Sequence, residues 1–304
     1  MSKRAFVFPG QGSQYVGMAK DLFENSVEAK EMIKTADEAL GANLSYILFN
    51  GPEEELKQSE NTQPAIFLHS VILSSIIRTL SFDAVAGHSV GEYAALVAAG
   101  AVQFYEAVKM VRVRGKAMTK AGIENPGTMA AIIGLGKDKV VELCKEASSS
   151  GIVQPANFNS HGQIVISGSV DGVKKAMELC KAEGAKLVKE LTVSGAFHSP
   201  LMESAKVELK KSIDETNFYD ARIPVYTNIT AKPTTNKDEF KSQLIEQITS
   251  PVPWEEIINN MVADGITEFY EIGPGKVLQG LIKRINPDVK SFGIDKYSDV
   301  EKYL

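Results

Sequence analysis

The sequence predicts an α/β protein: a hydrolase-like parallel sheet core with helices on both faces and an inserted ferredoxin-like α+β subdomain. Two observations support this prediction. Towards both ends of the chain, apolar strand-like segments alternate with helical segments, which is typical of a parallel sheet. Between residues 125 and 194 the order becomes β-α-β-β-α-β, the split βαβ pattern. We therefore expect a large catalytic domain over 1–124 and 195–304 and a small subdomain over 125–194.

The elements of the large domain begin with an apolar strand over 4–10, which runs into a glycine-rich turn. Residues 18–41 have helical spacing and end on a glycine suited to a C-cap. Residues 64–80 are apolar almost throughout, which predicts a buried helix. Residues 84–87 then read as a short buried strand, followed by a tight turn and an alanine-rich helix that ends at Gly100.

A helix over 105–122 closes this half of the large domain, before Pro126 and Gly127 break the pattern. The small subdomain is then predicted to contain, in order, a strand over 128–135, a helix over 137–147, strands over 152–160 and 162–169, a helix over 170–184 and a strand over 185–194. The large domain resumes with strands over 222–230 and 265–275 and a helix over 253–265 between them.

Composition narrows the class of protein. The chain has 304 residues and a formal net charge of -5, with no clustered basic patch, so nucleic acid is not an expected partner. Its two cysteines, Cys144 and Cys180, lie in helical patterns and read as small buried hydrophobes in a reducing compartment. No run approaches the length of a membrane span, and the N-terminal apolar stretch is too short for a signal peptide. We expect a cytoplasmic monomer with no metal and no bound cofactor.

The strongest local signal is Gly87-His88-Ser89-Val90-Gly91, a G-x-S-x-G between a predicted strand and a predicted helix. In this setting the serine lies on a sharp turn that exposes its hydroxyl, and the flanking glycines allow the strand and the helix to approach closely. The Val90 N–H then lies at a helix N-terminus, where negative charge is favoured, and is a natural oxyanion-hole donor. The alternative is an inert loop serine, because the motif alone is weak.

A serine nucleophile needs a base, and the chain has four histidines: His69, His88, His161 and His198. His69 lies in the apolar helix and reads as a core residue. His88 occupies the variable position of the motif, and His161 a turn of the small subdomain. His198, where the chain returns to the large domain, is the best candidate. No acid stands out as a third member, so a backbone carbonyl or an amide can orient the imidazole instead.

Arg114 separates the possible reaction classes. Its pattern alone favours a solvated helix arginine. The functional alternative is a bidentate clamp for a substrate carboxylate, which a simple esterase does not need. Gln11, in the loop after the first strand, can supply a second oxyanion-hole N–H.

Several motifs together resemble the malonyl-CoA:acyl-carrier-protein transacylase family and occur in its order along nearly the whole chain: FPGQGSQ (8–14), TQPA (62–65), GHSVGEYAAL (87–96), RGKAM (114–118), NFNS (157–160), AFHS (196–199), SPVPW (250–254) and EIGPGKVL (271–278). The resemblance implies a Ser–His dyad without an essential acid. It assigns the following site residues: Ser89 as nucleophile, His198 as base, Arg114 as the malonyl carboxylate ligand, the Gln11 and Val90 N–H groups as oxyanion hole, the Gln247 carbonyl as the group that orients the histidine, and Asn159 and Gln63 as pocket-lining positions.

The implied reaction is ping-pong transfer of malonyl from malonyl-CoA to the phosphopantetheine thiol of holo acyl carrier protein for fatty-acid synthesis. Three alternatives remain open at this point. A serine esterase or thioesterase would hydrolyse uncharged esters without Arg114, and a non-catalytic acyl-binding module would not react with a serine-directed probe. The same motifs also occur in acyltransferases that serve polyketide pathways.

Overall fold

Ten strands and fourteen α-helices form within residues 2–304, the part of the chain that this computed structural model describes. The strands are β1 (Lys3–Phe8), β2 (Ala84–Gly87), β3 (Gly127–Ile133), β4 (Val153–Ser160), β5 (Gln163–Ser169), β6 (Leu187–Leu191), β7 (Val225–Tyr226), β8 (Pro233–Thr234), β9 (Ile266–Ile272) and β10 (Lys290–Ile294). The helices are α1 (Lys20–Asn25), α2 (Val27–Leu40), α3 (Leu44–Asn50), α4 (Glu53–Leu56), α5 (Ser59–Ile76), α6 (Gly91–Ala98), α7 (Phe104–Glu124), α8 (Lys137–Ala147), α9 (Val170–Ala182), α10 (Ala205–Asp214), α11 (Lys237–Gln247), α12 (Trp254–Ala263), α13 (Val277–Ile285) and α14 (Tyr297–Val300).

The larger sheet has the strand order β10-β9-β1-β2-β7-β8. The first five strands are parallel, and β8 pairs antiparallel with β7. In the β1–β2 pair, Phe8 lies opposite Gly87. The loops that follow these two strands therefore leave the sheet side by side at its carboxyl edge, where open α/β sheets place their ligands.

The two faces of the larger sheet bury different clusters, because successive side chains of a strand point to opposite faces. Phe6 and Phe8 belong to a cluster with residues of α5, α6 and α7. Ala5 and Val7 belong to another with residues of α12 and α13. Helices thus cover both faces, as the sequence predicts.

The smaller sheet is antiparallel throughout, with the order β4-β5-β3-β6. Helices α8 and α9 share one buried cluster with these strands, and Cys144 and Cys180 lie in it as free thiols. This arrangement confirms the predicted fold class, including the ferredoxin-like element order. All four strands lie inside residues 125–194, while the boundaries of the two units at 1–124, 125–194 and 195–304 stay a prediction.

Three predicted elements of the large domain need correction. Residues 18–41 form two helices, because Ser26 adopts an extended conformation and its side chain accepts a hydrogen bond from the Ala29 N–H, which starts α2. The C-cap at Gly41, with φ 56°, is as predicted. The buried helix predicted over 64–80 begins earlier, at Ser59, and ends at Ile76.

The strand predicted over 222–230 is the third correction, because only Val225 and Tyr226 pair with β2. The chain leaves the sheet after them, and Asn228 turns towards the end of β2, where its side chain is fully buried. No helix within residues 2–304 is both long and apolar enough to cross a membrane.

Candidate active site

Ser89 lies on a sharp turn between β2 and α6 and has a φ of 53°, a left-handed conformation that is rare for a residue with a side chain. Glycine is required on both sides of this turn. A Cβ on Gly87 would lie 2.0 Å from the Gly91 carbonyl carbon, and a Cβ on Gly91 would lie 2.2 Å from the Phe8 carbonyl oxygen. The G-x-S-x-G spacing therefore reflects a close approach of strand, turn and helix.

Asn228 holds the turn from the side of β7. Its Oδ1 accepts a hydrogen bond from the Ser89 N–H at 2.7 Å, and its Nδ2 donates to the Gly87 carbonyl at 2.7 Å. Both partners are main-chain groups of the turn. One amide side chain therefore satisfies the Ser89 N–H and the Gly87 carbonyl, which would otherwise be unpaired.

His198 lies beside the serine, with its Nε2 at 2.9 Å from the Ser89 Oγ. Its Nδ1 lies 2.8 Å from the Gln247 carbonyl oxygen and 3.1 Å from that of Ser250. Because carbonyls only accept, the proton belongs on Nδ1, and Nε2 is left to accept from the serine hydroxyl. Burial and the nearby Arg114 guanidinium lower the pKa of His198 to about 3, so the imidazole is neutral at physiological pH.

Arg114 of α7 is 1% exposed, which contradicts the solvated arginine that its pattern alone favours. Its Nη1 donates to the Gln63 Oε1 at 2.6 Å. Its Nη2 donates to the Ser89 Oγ at 3.0 Å and to the Gln247 Oε1 at 2.9 Å. The structure therefore places a guanidinium directly on the serine hydroxyl.

The side chain of Gln247 connects Arg114 to a buried carboxylate. Its Nε2 donates to the Glu92 Oε2 at 2.5 Å and to the Ser89 carbonyl at 3.2 Å. Glu92 is 2% exposed and also accepts from the Asn228 N–H at 3.3 Å. Burial raises the pKa of Glu92 to about 7, while hydrogen bonds from Gln247 and Asn228 and the charge of Arg114 act in the opposite direction.

Two main-chain N–H groups at the cavity are free to bind an anion. Within the described chain, the N–H groups of Gln11 and Val90 have no hydrogen-bond acceptor, and both residues line the cavity at Ser89. The Gln11 side chain forms hydrogen bonds with the Ser59 Oγ, at 3.1 Å from Nε2, which ties the loop after β1 to the start of α5. This pair of donors has the composition of an oxyanion hole.

The cavity has a volume of about 260 Å³ and lies between the two sheets. All eight residues proposed from the sequence lie on it or bond to residues that do: Ser89, His198, Arg114, Gln11, Val90, Gln63 and Asn159 line it, and Gln247 contacts Arg114 and His198. The Asn159 Oδ1 accepts a hydrogen bond from the His88 Nε2 at 2.9 Å, so the partner of this histidine is Asn159 and not the serine hydroxyl.

The other two histidines lie elsewhere. His69 is buried in α5 with its Nε2 at 2.7 Å from the Asp295 carbonyl, and His161 is exposed in the turn after β4. In residues 2–304 no group of three or more His, Cys, Asp or Glu side chains is arranged to hold a metal ion.

Three residues of the site were not found from the sequence: Glu92, Asn228 and Gln154. Gln154 of β4 donates to the His198 carbonyl at 2.8 Å and to the Thr249 carbonyl at 3.1 Å. The signal for Glu92 was present, since a charged residue interrupts an otherwise apolar, alanine-rich helix directly after the turn. Asn228 and Gln154 lie in loop and strand patterns where amides are common, and nothing local marks them.

The fold and this site place the chain among enzymes that transfer acyl groups. The family model described as the acyl transferase domain matches residues 5–292, which is almost the whole chain. The chain is an acyltransferase.

Similar proteins define the family more narrowly. The chain is 45% identical over 304 residues to the malonyl CoA-acyl carrier protein transacylase of Bacillus subtilis, covering 99% of this chain and 96% of that protein. It is 44% identical to the Staphylococcus aureus protein of that name over 302 residues, covering 99% and 98%. A crystal structure of an acyl carrier protein S-malonyltransferase from Vibrio cholerae superposes with a TM-score of 0.95 at 40% identity and full coverage of both chains. The chain belongs to the malonyl-CoA–acyl carrier protein transacylase family.

A further structural relative was solved with a carrier protein bound. It is a malonyl-transacylase in complex with a holo acyl carrier protein of a type II polyketide synthase, with a TM-score of 0.96 at 37% identity, covering 100% of this chain and 99% of that one.

Proposed function

We propose that this chain transfers a malonyl group from malonyl-CoA to the phosphopantetheine thiol of holo acyl carrier protein through an ester on Ser89, and so supplies fatty-acid synthesis. The observation that carries the proposal is the Arg114 guanidinium, buried and 3.0 Å from the Ser89 Oγ. A permanent cation at the nucleophile favours an acyl group that carries its own carboxylate. An uncharged ester offers no carboxylate for this guanidinium to bind.

Acylation uses groups already in hydrogen-bonding distance. As the Ser89 Oγ attacks the thioester carbonyl of malonyl-CoA, its proton passes to the His198 Nε2. The carbonyl oxygen becomes an oxyanion and accepts hydrogen bonds from the Gln11 and Val90 N–H groups. When the C–S bond breaks, coenzyme A leaves with the proton from His198, and malonyl remains as an ester of Ser89.

Deacylation runs the same steps with the carrier thiol. His198 takes the proton of the phosphopantetheine thiol, whose sulfur attacks the ester carbonyl. The second oxyanion forms in the same hole, and the Ser89 alkoxide leaves and recovers the proton from His198. The sum is exchange of one thioester for another, with no net proton change.

Arg114 changes partners in this scheme. In the free enzyme its Nη2 donates to the Ser89 Oγ. Once Ser89 is esterified, that oxygen is a poorer acceptor, and the Nη2 N–H that pointed at it becomes available to the malonyl carboxylate, while Nη2 still donates to Gln247. Holding the carboxylate also fixes the ester carbonyl in the oxyanion hole, which limits attack by water.

A polyketide pathway is a second candidate for the carrier. It is favoured by one observation, the similarity to a transacylase solved with a type II polyketide synthase carrier protein. The chemistry at Ser89 is the same for either carrier. We further propose that the chain acts as a monomer in the cytoplasm.

The test is the intact mass of the protein after mixing with malonyl-CoA or acetyl-CoA. We expect a malonyl adduct on the wild type and none on Ser89→Ala. Arg114→Ala removes charge-assisted hydrogen bonds, so its rate of malonyl adduct formation should fall by about a hundredfold. The matched control is Arg112→Ala, on the same helix, because Arg112 donates to the Glu60 carbonyl and to Asn61 instead.

Two outcomes contradict the proposal. Release of free acid without an adduct or transfer indicates a thioesterase. An Arg114→Ala protein that still prefers malonyl over acetyl, to the same degree as Arg112→Ala, excludes the guanidinium as the carboxylate ligand.

A further inference from the structure

The Arg114 guanidinium has an unusual environment for a buried charge. Among residues 2–304, no carboxylate oxygen lies within 4.0 Å of it, and its hydrogen-bond partners are the neutral side chains of Gln63, Gln247 and Ser89. The guanidinium also lies 5.6 Å from the centre of the Tyr93 ring, another neutral group. Buried charges in proteins are normally paired. The buried carboxylate linked to Arg114 through a single residue is Glu92, on the far side of the Gln247 amide.

The two hydrogen bonds that link Arg114 to Glu92 through Gln247 both have their donor on the Arg114 side. Arg114 can only donate, so it donates to the Gln247 Oε1, and Gln247 in turn donates from Nε2 to Glu92. An ionised carboxylate can only accept, so Glu92, with the Ser89 carbonyl that accepts from the same Nε2 at 3.2 Å, holds the amide with its oxygen towards Arg114. If the amide turned over, its NH2 group would face the guanidinium, and Nη2 would lose one of its two acceptors and keep only the Ser89 Oγ.

Gln247 serves two groups with two different parts. Its side chain holds the guanidinium, and its main-chain carbonyl accepts from the His198 Nδ1 at 2.8 Å. A change at Glu92 therefore acts on the orientation of the Gln247 side chain, while the support of the catalytic base stays with the backbone of α11.

We propose that Glu92 is a positioning residue that acts through the Gln247 side chain to orient Arg114, and that it thereby sets the preference of the enzyme for acyl groups bearing a carboxylate. The inference rests on the proposed function, since it takes Arg114 as the ligand of the malonyl carboxylate. A residue that orients only Arg114 should affect malonyl transfer and spare acetyl transfer. A residue that only supports the fold should affect both alike.

The experiment compares rates of acyl-enzyme formation with malonyl-CoA and acetyl-CoA, by rapid quench and intact mass, at pH 8, where Glu92 is mostly ionised. Glu92→Gln keeps the size of the side chain and replaces the stronger acceptor of the Gln247 Nε2, which can only accept, with an amide that can also donate. We expect the malonyl-to-acetyl rate ratio to fall by about tenfold or more, the effect of losing one oriented charged hydrogen bond. Glu271→Gln is the matched control, because Glu271 is equally buried but binds the N-terminal N–H groups of α13; its ratio should not change.

A double-mutant cycle separates the indirect mechanism from a general one. If Glu92 acts through Arg114, then Glu92→Gln should leave the rate ratio of the Arg114→Ala protein unchanged. Equal losses for both acyl groups in Glu92→Gln, or a further fall of the ratio in the Arg114→Ala background, would overturn the proposal.

Gln247→Met gives an independent test if Glu92→Gln does not fold. This substitution removes the side-chain hydrogen bonds of Gln247 to Arg114 and Glu92, keeps the size of the side chain and retains the main-chain carbonyl at His198. It should therefore lower the malonyl-to-acetyl rate ratio as Glu92→Gln does. An unchanged ratio in this variant would also overturn the proposal. A wild type that forms no malonyl ester contradicts the proposed function instead, whatever Glu92→Gln does.

Discussion

Ser89 and His198 both have left-handed backbone conformations, with φ values of 53° and 57°. Such conformations cost of order 1–3 kcal/mol each in a residue with a side chain, so they persist only where surrounding contacts hold them. Around Ser89 these contacts come from Asn228, and around His198 from the carbonyls of Gln247 and Ser250 and from the Gln154 amide. At the scale of single residues, the proposed nucleophile and base are brought together by amides and carbonyls that take no part in the proposed chemistry.

The pH dependence of Ser89 reactivity should reveal the lowered pKa of His198. Burial and the Arg114 charge disfavour the imidazolium, so the neutral base persists to lower pH than the ordinary imidazole value of 6.5 allows. We expect the rate of Ser89 labelling by a neutral fluorophosphonate to stay nearly constant from pH 8 to pH 5. An unperturbed imidazole would slow it about thirtyfold at pH 5.

The Arg114→Ala variant tests how much of the lowered pKa of His198 comes from the guanidinium charge. Loss of the guanidinium charge raises the pKa of His198, so the point at which labelling slows should move to higher pH, while burial keeps it below 6.5. A wild-type profile that falls with a midpoint near 6.5 would contradict the assignment of His198 as a buried base with a lowered pKa.

At the scale of elements, the site is assembled where β1, β2 and β7 end at one edge of the larger sheet. The loop after β1 supplies Gln11, the turn after β2 supplies Ser89 and Val90, and the segment after β7 supplies Asn228. β7 is only two residues long, because the chain leaves the sheet early to bring Asn228 under the turn. The shortness of this strand is therefore part of how the turn is supported.

Asn228→Ala should weaken both the fold and the nucleophile. It leaves the Ser89 N–H and the Gly87 carbonyl without their partner, and each unsatisfied group costs about 1–3 kcal/mol. We expect the free energy of unfolding to fall by about 2 kcal/mol and the labelling rate of Ser89 to fall about tenfold as the turn relaxes. Chemical denaturation and fluorophosphonate labelling measure the two effects.

Asn260→Ala is the matched control for this prediction. Asn260 donates to the Ala231 carbonyl. Ala231 lies in the same loop as Asn228 but does not bond to the turn at Ser89. It should lower stability and leave Ser89 labelling unchanged. Equal labelling rates in the two variants would mean that Asn228 supports the loop and not the nucleophile.

At the scale of the whole molecule, the base lies where the two sheets meet. His198 follows the last strand of the smaller sheet, and Gln154 of that sheet holds its carbonyl. β4 also binds the segment after α11 through two main-chain hydrogen bonds, Phe158 N–H to the Val252 carbonyl and Val252 N–H to the Ala156 carbonyl. The smaller sheet therefore helps to position His198, the proposed base, and also lines the cavity.

Gln154→Ala should slow acylation by malonyl-CoA and acetyl-CoA to the same extent, about tenfold, because it loosens His198 and does not touch Arg114. Rapid-quench intact mass with both substrates measures this. Gln103→Ala, a surface glutamine at the start of α7, should retain the wild-type rates. A loss confined to malonyl would contradict the role assigned to Gln154.

The sequence by itself determined the fold class and the family. Strand–helix alternation and the β-α-β-β-α-β order are local patterns, and the larger and smaller sheets follow them. The turn at Ser89 was also readable, since the two glycines are required by contacts within a few residues or with the neighbouring strand. These features are encoded by periodicity and by steric limits that act over short distances.

Only the tertiary structure decided the surroundings of the reacting groups. The helical pattern alone predicts that Arg114 is solvated, whereas the fold buries it. The fold also links Arg114 to Glu92 through Gln247, and Gln247 is 155 residues from Glu92 in the sequence. The roles of Asn228 and Gln154 likewise depend on contacts between distant segments. Burial and long-range hydrogen bonds set the charge state and direction of these groups, and neither leaves a periodic signal in the sequence.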